Sequence, residues 1–318
     1  MQQQHTSTRT LQQPAISKTL FITAAAATLL PVVSPPFALL LGIILAQTIG
    51  NPFARTTGKL THWLLQLSVI GLGFGMNAHS ALKAGKEGFL LTIASITCTL
   101  LLGWGLTKIL GIDKHTGHLI SSGTAICGGS AIAAIAPVVK ANEKQLSVSL
   151  GIIFLLNSAA LFLFPVLGHL FQLSQTQFGL WSAIAIHDTS SVVGAASKYG
   201  DEALQVATMI KLSRALWIIP VALITSFLFR NGGSKIKIPW FIGIFILAML
   251  LNTFFPLGNI SHVLTSSAKT GLSLTLFLIG ANLTKEVLRG IGWKPLLLGI
   301  LLWAFISTGA LMTILWLH

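Results

Sequence analysis

Charge is what this sequence has least of. Asp, Glu, Lys and Arg together make up 8% of 318 residues, where a soluble domain carries about a quarter. Only seven residues are acidic. So few charges cannot cover the surface of a water-soluble fold. Hydrophobic residues reach 53% and the mean hydropathy is +0.81, which makes the chain an integral membrane protein. Cysteine is scarce too. Cys98 and Cys127 lie in apolar stretches without CxxC spacing or neighbouring ligands, which argues against a disulfide or a metal site. No Walker A sequence, HExxH or GxSxG is present, and "GLGFGM" lacks the preceding strand that a dinucleotide loop needs. No cofactor is expected. The length allows about ten spans and leaves no room for a soluble catalytic domain.

The net charge of +13 would suggest nucleic acid in a soluble protein. Here the basic residues are spread thinly over short loops, as positive-inside membrane topology requires. Nucleic-acid binding is rejected; the partners are the lipid bilayer and a small substrate, and a homodimer is one arrangement open to the chain.

Residues 1–18 read as a polar, Gln-rich tail and 19–318 as a multipass transmembrane domain. The apolar run Leu20 to Val33 is short, and a signal peptide is the alternative to an uncleaved first helix, which is preferred. Apolar segments fall at 19–33, 37–50, 60–78, 88–110, 117–141, 146–170, 177–198, 203–229, 239–256, 262–283 and 291–317. With the N-terminus inside, twelve Lys and Arg residues lie on the cytoplasmic side and five (Lys83, Lys86, Lys140, Lys144, Lys198) outside.

Two internal similarities stand out. Leu67 to Gly85 resembles Leu272 to Gly290 at an offset of 205, with Ser68, Gly75, Asn77 and Gly85 meeting Ser273, Gly280, Asn282 and Gly290. These copies cross in opposite directions, the inverted-repeat pattern of secondary transporters. "ICGGSAIAA" also rhymes with "HDTSSVVGAA" (His187 to Ala196). Span parity makes that pair parallel, unless the likeness is convergent or one segment is re-entrant.

Adjacent glycines in the middle of an apolar segment interrupt a helix where lipid cannot satisfy free backbone. A break there exposes amide groups at the start of the next half-helix, and those groups with the helix dipole favour an anion. Gly128, Gly129 and Ser130, with Thr124 nearby, are candidates for such a site; close helix packing is the bland alternative. Asp188 is the only carboxylate inside an apolar segment, beside His187. A charge at mid-bilayer costs about 2.5–3.5 kcal/mol on insertion scales and usually marks a pathway or proton relay. Thr189, Ser190 and Ser191 follow it as further candidate substrate contacts. Gln205, Thr208, Lys211 and Arg214 recur every three residues, a polar stripe on the next segment. Lys211 and Arg214 either pair with Asp188 or hold an anion. Lys269, Asn77, Asn157 and Asn282 are weaker candidates, and Gly71 with Gly75 reads as a close helix contact.

"SSGTAICGGSAIAAIAPVVKA" and "AIHDTSSVVGAA", with "GLGFGMN" upstream, resemble the YeiH-like family of bacterial multipass membrane proteins, which carries the label of sulfate exporters. The match covers nearly everything after the tail. More remotely, the first motif and "NEKQLSVSL" are similar to the crossed-helix region of bile-acid-sodium symporter and cation/proton antiporter relatives. That resemblance implies inverted repeats, two discontinuous crossed helices, and a core packed on a panel. The sequence departs from the symporter pattern: no proline precedes the glycine pair, Ala follows Ser130, and the sodium-binding Glu and Gln-Asn group is missing. Proton coupling through Asp188 or His187 is thus at least as well supported as sodium coupling.

The expectation is an all-α membrane protein of ten or eleven spans, not an enzyme, in the bacterial inner membrane. It would move a small oxyanion such as sulfate, with Lys211 and Arg214 neutralising substrate charge. A carrier for carboxylates or sulfonates is the alternative. A channel, or an intramembrane enzyme using His187, Asp188 and Ser190, is a minority reading, since closeness in sequence does not give triad geometry.

Overall fold

The computed structural model describes residues 14–30, 33–229, 240–255 and 257–317. In chain order the helices are α1 (Pro14–Ala27), α2 (Pro35–Thr48), α3 (Ala54–Gly73), α4 (Ala78–Ile109), α5 (Lys114–Ala125), α6 (Gly129–Val139), α7 (Glu143–Leu170) and α8 (Gln175–Ala185). There follow α9 (Thr189–Tyr199), α10 (Asp201–Leu216), α11 (Ile218–Leu228), α12 (Trp240–Phe254), α13 (Asn259–Ala281), α14 (Lys285–Gly290) and α15 (Trp293–Leu317). No strand occurs among the described residues. Five helical stretches are long and apolar enough to cross a membrane: Phe89–Ile109, Lys144–Leu170, Asp201–Leu228, Asn259–Ala281 and Trp293–Trp316. The all-α membrane architecture is therefore as the composition implies. Most of the expected tail, and the basic residues Arg230, Lys235 and Lys237, lie outside the described residues; α1 begins inside the expected tail, at Pro14.

Both interrupted segments occur where the glycines and Asp188 place them, but neither continues across. Asp113 precedes α5 and accepts a hydrogen bond from Gln145 Nε2 at 2.8 Å, so α5 and α7 begin at one end of the molecule, the near face. Only three residues separate α6 from α7, so α6 ends at the near face as well. A methyl group on Gly123 of α5 would lie 2.8 Å from Ile132 of α6, which no straight continuation allows. Residues α5–α6 are a hairpin that enters from the near face, turns at Ile126–Gly128 and returns.

The second segment does the same from the far face, where α7 ends. Tyr199, the last residue of α9, donates to the Leu173 carbonyl at 2.6 Å, and its ring stacks on Phe178 of α8 at 3.8 Å between centroids. Residues α8–α9 thus leave the far face, turn at Ile186–Asp188 and come back. The pair is inverted, with α7 crossing between them. Each hairpin counted as one through-going span explains the parallel parity expected from sequence. Lys140 and Lys144 consequently move to the same face as Lys114.

Local sequence signals fix these turns. Lys140 ends α6 in the left-handed conformation (φ 55°), and Asn142 then opens α7 with a capping box to Gln145. Ser174 opens α8 with a second capping box, to Gln177. Asp113 caps α5 by accepting from the amides of His115 and Thr116. Burial alone raises the Asp113 carboxyl pKa, but the Thr116 amide and hydroxyl and His115 outweigh it and hold it below the usual value.

The repeat copies pack against each other. Thr57 at the start of α3 donates to Asn282 just after α13 at 2.8 Å, while a methyl on Gly71 would touch Ala268 at 2.7 Å. Helices α3 and α13 are therefore antiparallel, and the Gly71–Gly75 pair is the expected close contact. Helices α2, α3, α12 and α13 form one group. Helices α4 to α11 with α15 form the other, which holds both hairpins. The α2–α13 crossing is closest: a methyl on Gly42 would lie 2.1 Å from the Phe277 carbonyl oxygen, and one on Gly280 2.3 Å from that of Leu39. Gly280→Val is expected to prise these helices apart and destabilise the protein by about 1–3 kcal/mol. Thermal unfolding in detergent checks this, with Gly243→Val, which meets nothing within 4 Å, as the control.

Candidate functional site

The hairpin tips touch in the interior. A methyl group on Gly128 would lie 3.3 Å from Asp188 Cα and 3.3 Å from the His187 carbonyl carbon. Gly128 has φ +64°, which disfavours any L side chain. Asn157, at the middle of α7, holds the second tip: its Oδ1 accepts from the His187 amide at 3.0 Å and the Asp188 amide at 3.3 Å.

Each hairpin presents two helix ends at its tip, and α10 supplies a cation to the negative end of each. Lys211 Nζ donates to the carbonyls of Ile186 at 2.7 Å and Ala183 at 3.3 Å, at the end of α8. Arg214 donates through Nη2 to the Ala125 carbonyl at the end of α5, and through Nη1 to Ser95 Oγ at 3.1 Å. Both cations are fully buried. Three-residue spacing places them on neighbouring parts of one helix surface, so a single helix clamps two hairpins that entered from opposite faces.

The positive ends differ. Asp188 caps α9: its Oδ2 accepts from the amides of Ser190 at 3.1 Å and Ser191 at 3.4 Å, and from the Ser190 hydroxyl. No cation lies within ion-pair distance of Asp188 among the described residues, so the pairing with Lys211 or Arg214 weighed from sequence is not formed. The N-cap residue of α6 is Gly128, which has no side chain to cap with, and the Cys127 thiol reaches only the Ala131 amide. The first residues of α6, Gly129 and Ser130, are half-buried and exposed, while Thr189, Ser190 and Ser191 are buried.

Several enclosed polar atoms near the tips have no protein partner: Thr124 Oγ1, Ser122 Oγ, Asn157 Nδ2, Arg214 Nε and both ring nitrogens of His187. Sequence reasoning undervalued Asn157 and passed over Ser122 and Ser95. Asn157 carried a legible signal, being the one amide side chain in the otherwise apolar or hydroxyl-bearing run 146–168. Ser95 carried none, because only the fold brings it to Arg214. The remaining weak candidates are accounted for: Asn77 accepts from the His79 amide at the start of α4, Asn282 joins Asn51 and Thr57, and Lys269 pairs with Asp201 at 3.0 Å.

A crevice of about 430 Å³ opens beside the site at the far-face end. Its walls are α10 (Asp201, Gln205, Thr208) and the α3–α13 pair.

Fold and site together define an all-α membrane protein with two opposed re-entrant hairpins and an excess of positive charge buried where they meet. Residues 15–299 match the family model described as "Conserved hypothetical protein 698". The chain belongs to the UPF0324 family of membrane proteins. It is 55% identical over 282 residues to a UPF0324 membrane protein of Bacteroides thetaiotaomicron, covering 88% of this chain and 86% of that one. It is 51% identical over 306 residues to one from Photobacterium profundum (96% and 94%), and 50% identical over 317 to one from Bdellovibrio bacteriovorus (97% and 98%). No solved structure matches the chain.

Proposed function

We propose that this protein is a secondary carrier for a small oxyanion, sulfate or a related sulfur oxyanion, with protons as the coupling ion. The observation that carries this reading is charge at the hairpin tips: two fully buried cations against one buried carboxylate, beside a helix start whose N-cap residue is a glycine. An interior with that imbalance favours an anion. Opposed re-entrant hairpins are also a natural carrier device, since irregular backbone at membrane depth survives only in protein or against a water-filled path. Gly129 and Ser130 offer amides, Arg214 Nε and Asn157 Nδ2 offer unpartnered N–H groups, and Thr124 offers a hydroxyl. Lys211 acts from behind the tip through its charge, because its ammonium already serves two carbonyls. His187 and Asp188 are the groups at the tips that could take up the coupled proton while the anion stays ionised.

In this reading the protein lies in the bacterial inner membrane with its near face cytoplasmic. Moving Lys140 and Lys144 to that face widens the expected charge asymmetry from twelve against five to fourteen against three.

Uptake of labelled sulfate into proteoliposomes, with and without a pH gradient, tests the proposal. Ser130→Asp is the sharpest variant. It adds a carboxylate at the exposed start of α6, where it occupies the free amides and repels an incoming anion. Sulfate uptake is expected to fall to the level of empty liposomes in Ser130→Asp and to survive in Ser130→Asn. Equal uptake in both variants, or pH-gradient-driven uptake of carboxylates but not sulfate by wild type, would overturn the sulfate assignment.

A further inference from the structure

The polar stripe on α10 has a counterpart that the tip site does not use. On α13, Ser261, His262, Thr265, Ser266 and Lys269 recur at helical spacing and line the far-face crevice. They face Asp201, Gln205 and Thr208 of α10 across it. A membrane helix seldom turns so polar a stripe toward a neighbour unless water or a solute lies between. Apart from Asp201, no acid among the described residues lines the crevice. Along α10, Thr208 is three residues, or about 4.5 Å of helix rise, before Lys211.

One ion pair spans the mouth. Lys269 of α13 meets Asp201 of α10 at 3.0 Å, and their side chains are 43% and 84% exposed. This is the only ion pair between the two helix groups among the described residues. A surface pair of this kind contributes about 0–1 kcal/mol, so it opens readily. The enclosed Thr265 Oγ1 has no protein partner.

We infer that this crevice is a second anion-binding site, an outer vestibule, and that Asp201 competes with the arriving anion for Lys269. When an oxyanion takes the Lys269 ammonium, the Asp201 carboxylate is released and the two helix groups lose their ion pair at the far face, though they stay packed through α13 and α9. The ligand class is a small, fully ionised oxyanion, held by one ammonium and by hydroxyls. The inference rests on the carrier reading, which supplies the reason for an anion to travel from Lys269 past Gln205 and Thr208 toward the tips.

The test is labelling of Ser266→Cys, an exposed crevice position, in a Cys98→Ser background. Cys127, the other thiol, is buried. A membrane-impermeant maleimide is added to oriented vesicles, with sodium sulfate or sodium chloride at matched ionic strength. Labelling is expected from the far face alone. With sulfate at ~10 times its dissociation constant it should slow about tenfold, because only about one site in eleven is then free. Lys269→Gln should label normally but lose the protection. Asp201→Asn should be protected at several-fold lower sulfate, because the competitor for Lys269 is gone. A merely structural ion pair predicts the same sulfate dependence in both variants, and that result overturns the inference. So does the absence of far-face labelling. Sulfate flux without sulfate protection also overturns the vestibule while leaving the carrier intact. Protection that follows Lys269 and Asp201 as described, without flux of any anion, sinks the carrier reading and leaves the binding site standing.

Discussion

Lys211→Ala is expected to lower the thermal stability of the purified protein more than any other single truncation, with Arg214→Ala close behind. Lys211 is fully buried, and its ammonium serves the Ile186 and Ala183 carbonyls. Those groups end α8 inside the membrane, where no water replaces a lost donor. Leaving a buried acceptor without its donor typically costs about 1–3 kcal/mol, and Lys211 serves two. Arg214→Ala strips the Ala125 carbonyl and Ser95 in the same way. Lys211→Met keeps most of the volume and still loses the hydrogen bonds, so it should behave like Lys211→Ala. A stability change within about 0.5 kcal/mol, the range of an ordinary surface substitution, would remove the capping role. In many secondary carriers half-helix carbonyls hold sodium. Here tethered cations hold them, which fits protons as the proposed coupling ion.

Gly128→Ala is expected to abolish anion flux. The residue has φ +64° and ψ −125°. Such a conformation costs a side-chain-bearing residue about 1–3 kcal/mol. The added methyl would also press on the backbone of His187 and Asp188 at 3.3 Å, and backbone at a hairpin tip has nowhere to retreat. The two tips must part, and the cluster of unpartnered donors disperses. Gly129→Ala is the matched control. Its methyl meets Phe154 at 3.3 Å and Leu150 at 3.5 Å, both side chains that can turn aside. Proteoliposome flux should survive there and vanish at Gly128. Survival at both positions would mean that tip contact is irrelevant to transport.

Composition made the membrane class legible, and Gly128, Gly129 and Asp188 marked both interruptions. Their course was not legible. A hairpin of two 11- or 12-residue helices and one broken span have the same length and hydropathy. The difference lies in contacts such as Tyr199 with Leu173 and Gln145 with Asp113, which no periodicity encodes. The capping boxes at Asn142 and Ser174 were present in the sequence and point to fresh helix starts there, yet they do not say which way the previous helix ran. For the site, the polar stripe of α10 and the lone Asp188 were readable from residue type alone. That Asp188 would cap α9 while Lys211 and Arg214 turned to carbonyls was not, because charge in a sequence suggests pairing with charge.

Arg214 bonds to a residue 89 positions earlier in the chain. A ribosome therefore delivers the first hairpin long before its clamp exists. Without α10 the Ala125 carbonyl would lack the donor that Arg214 supplies in the folded protein. The tip of the first hairpin is therefore completed by a contact distant in sequence, and its seal exists only once the end of α10 is packed against it.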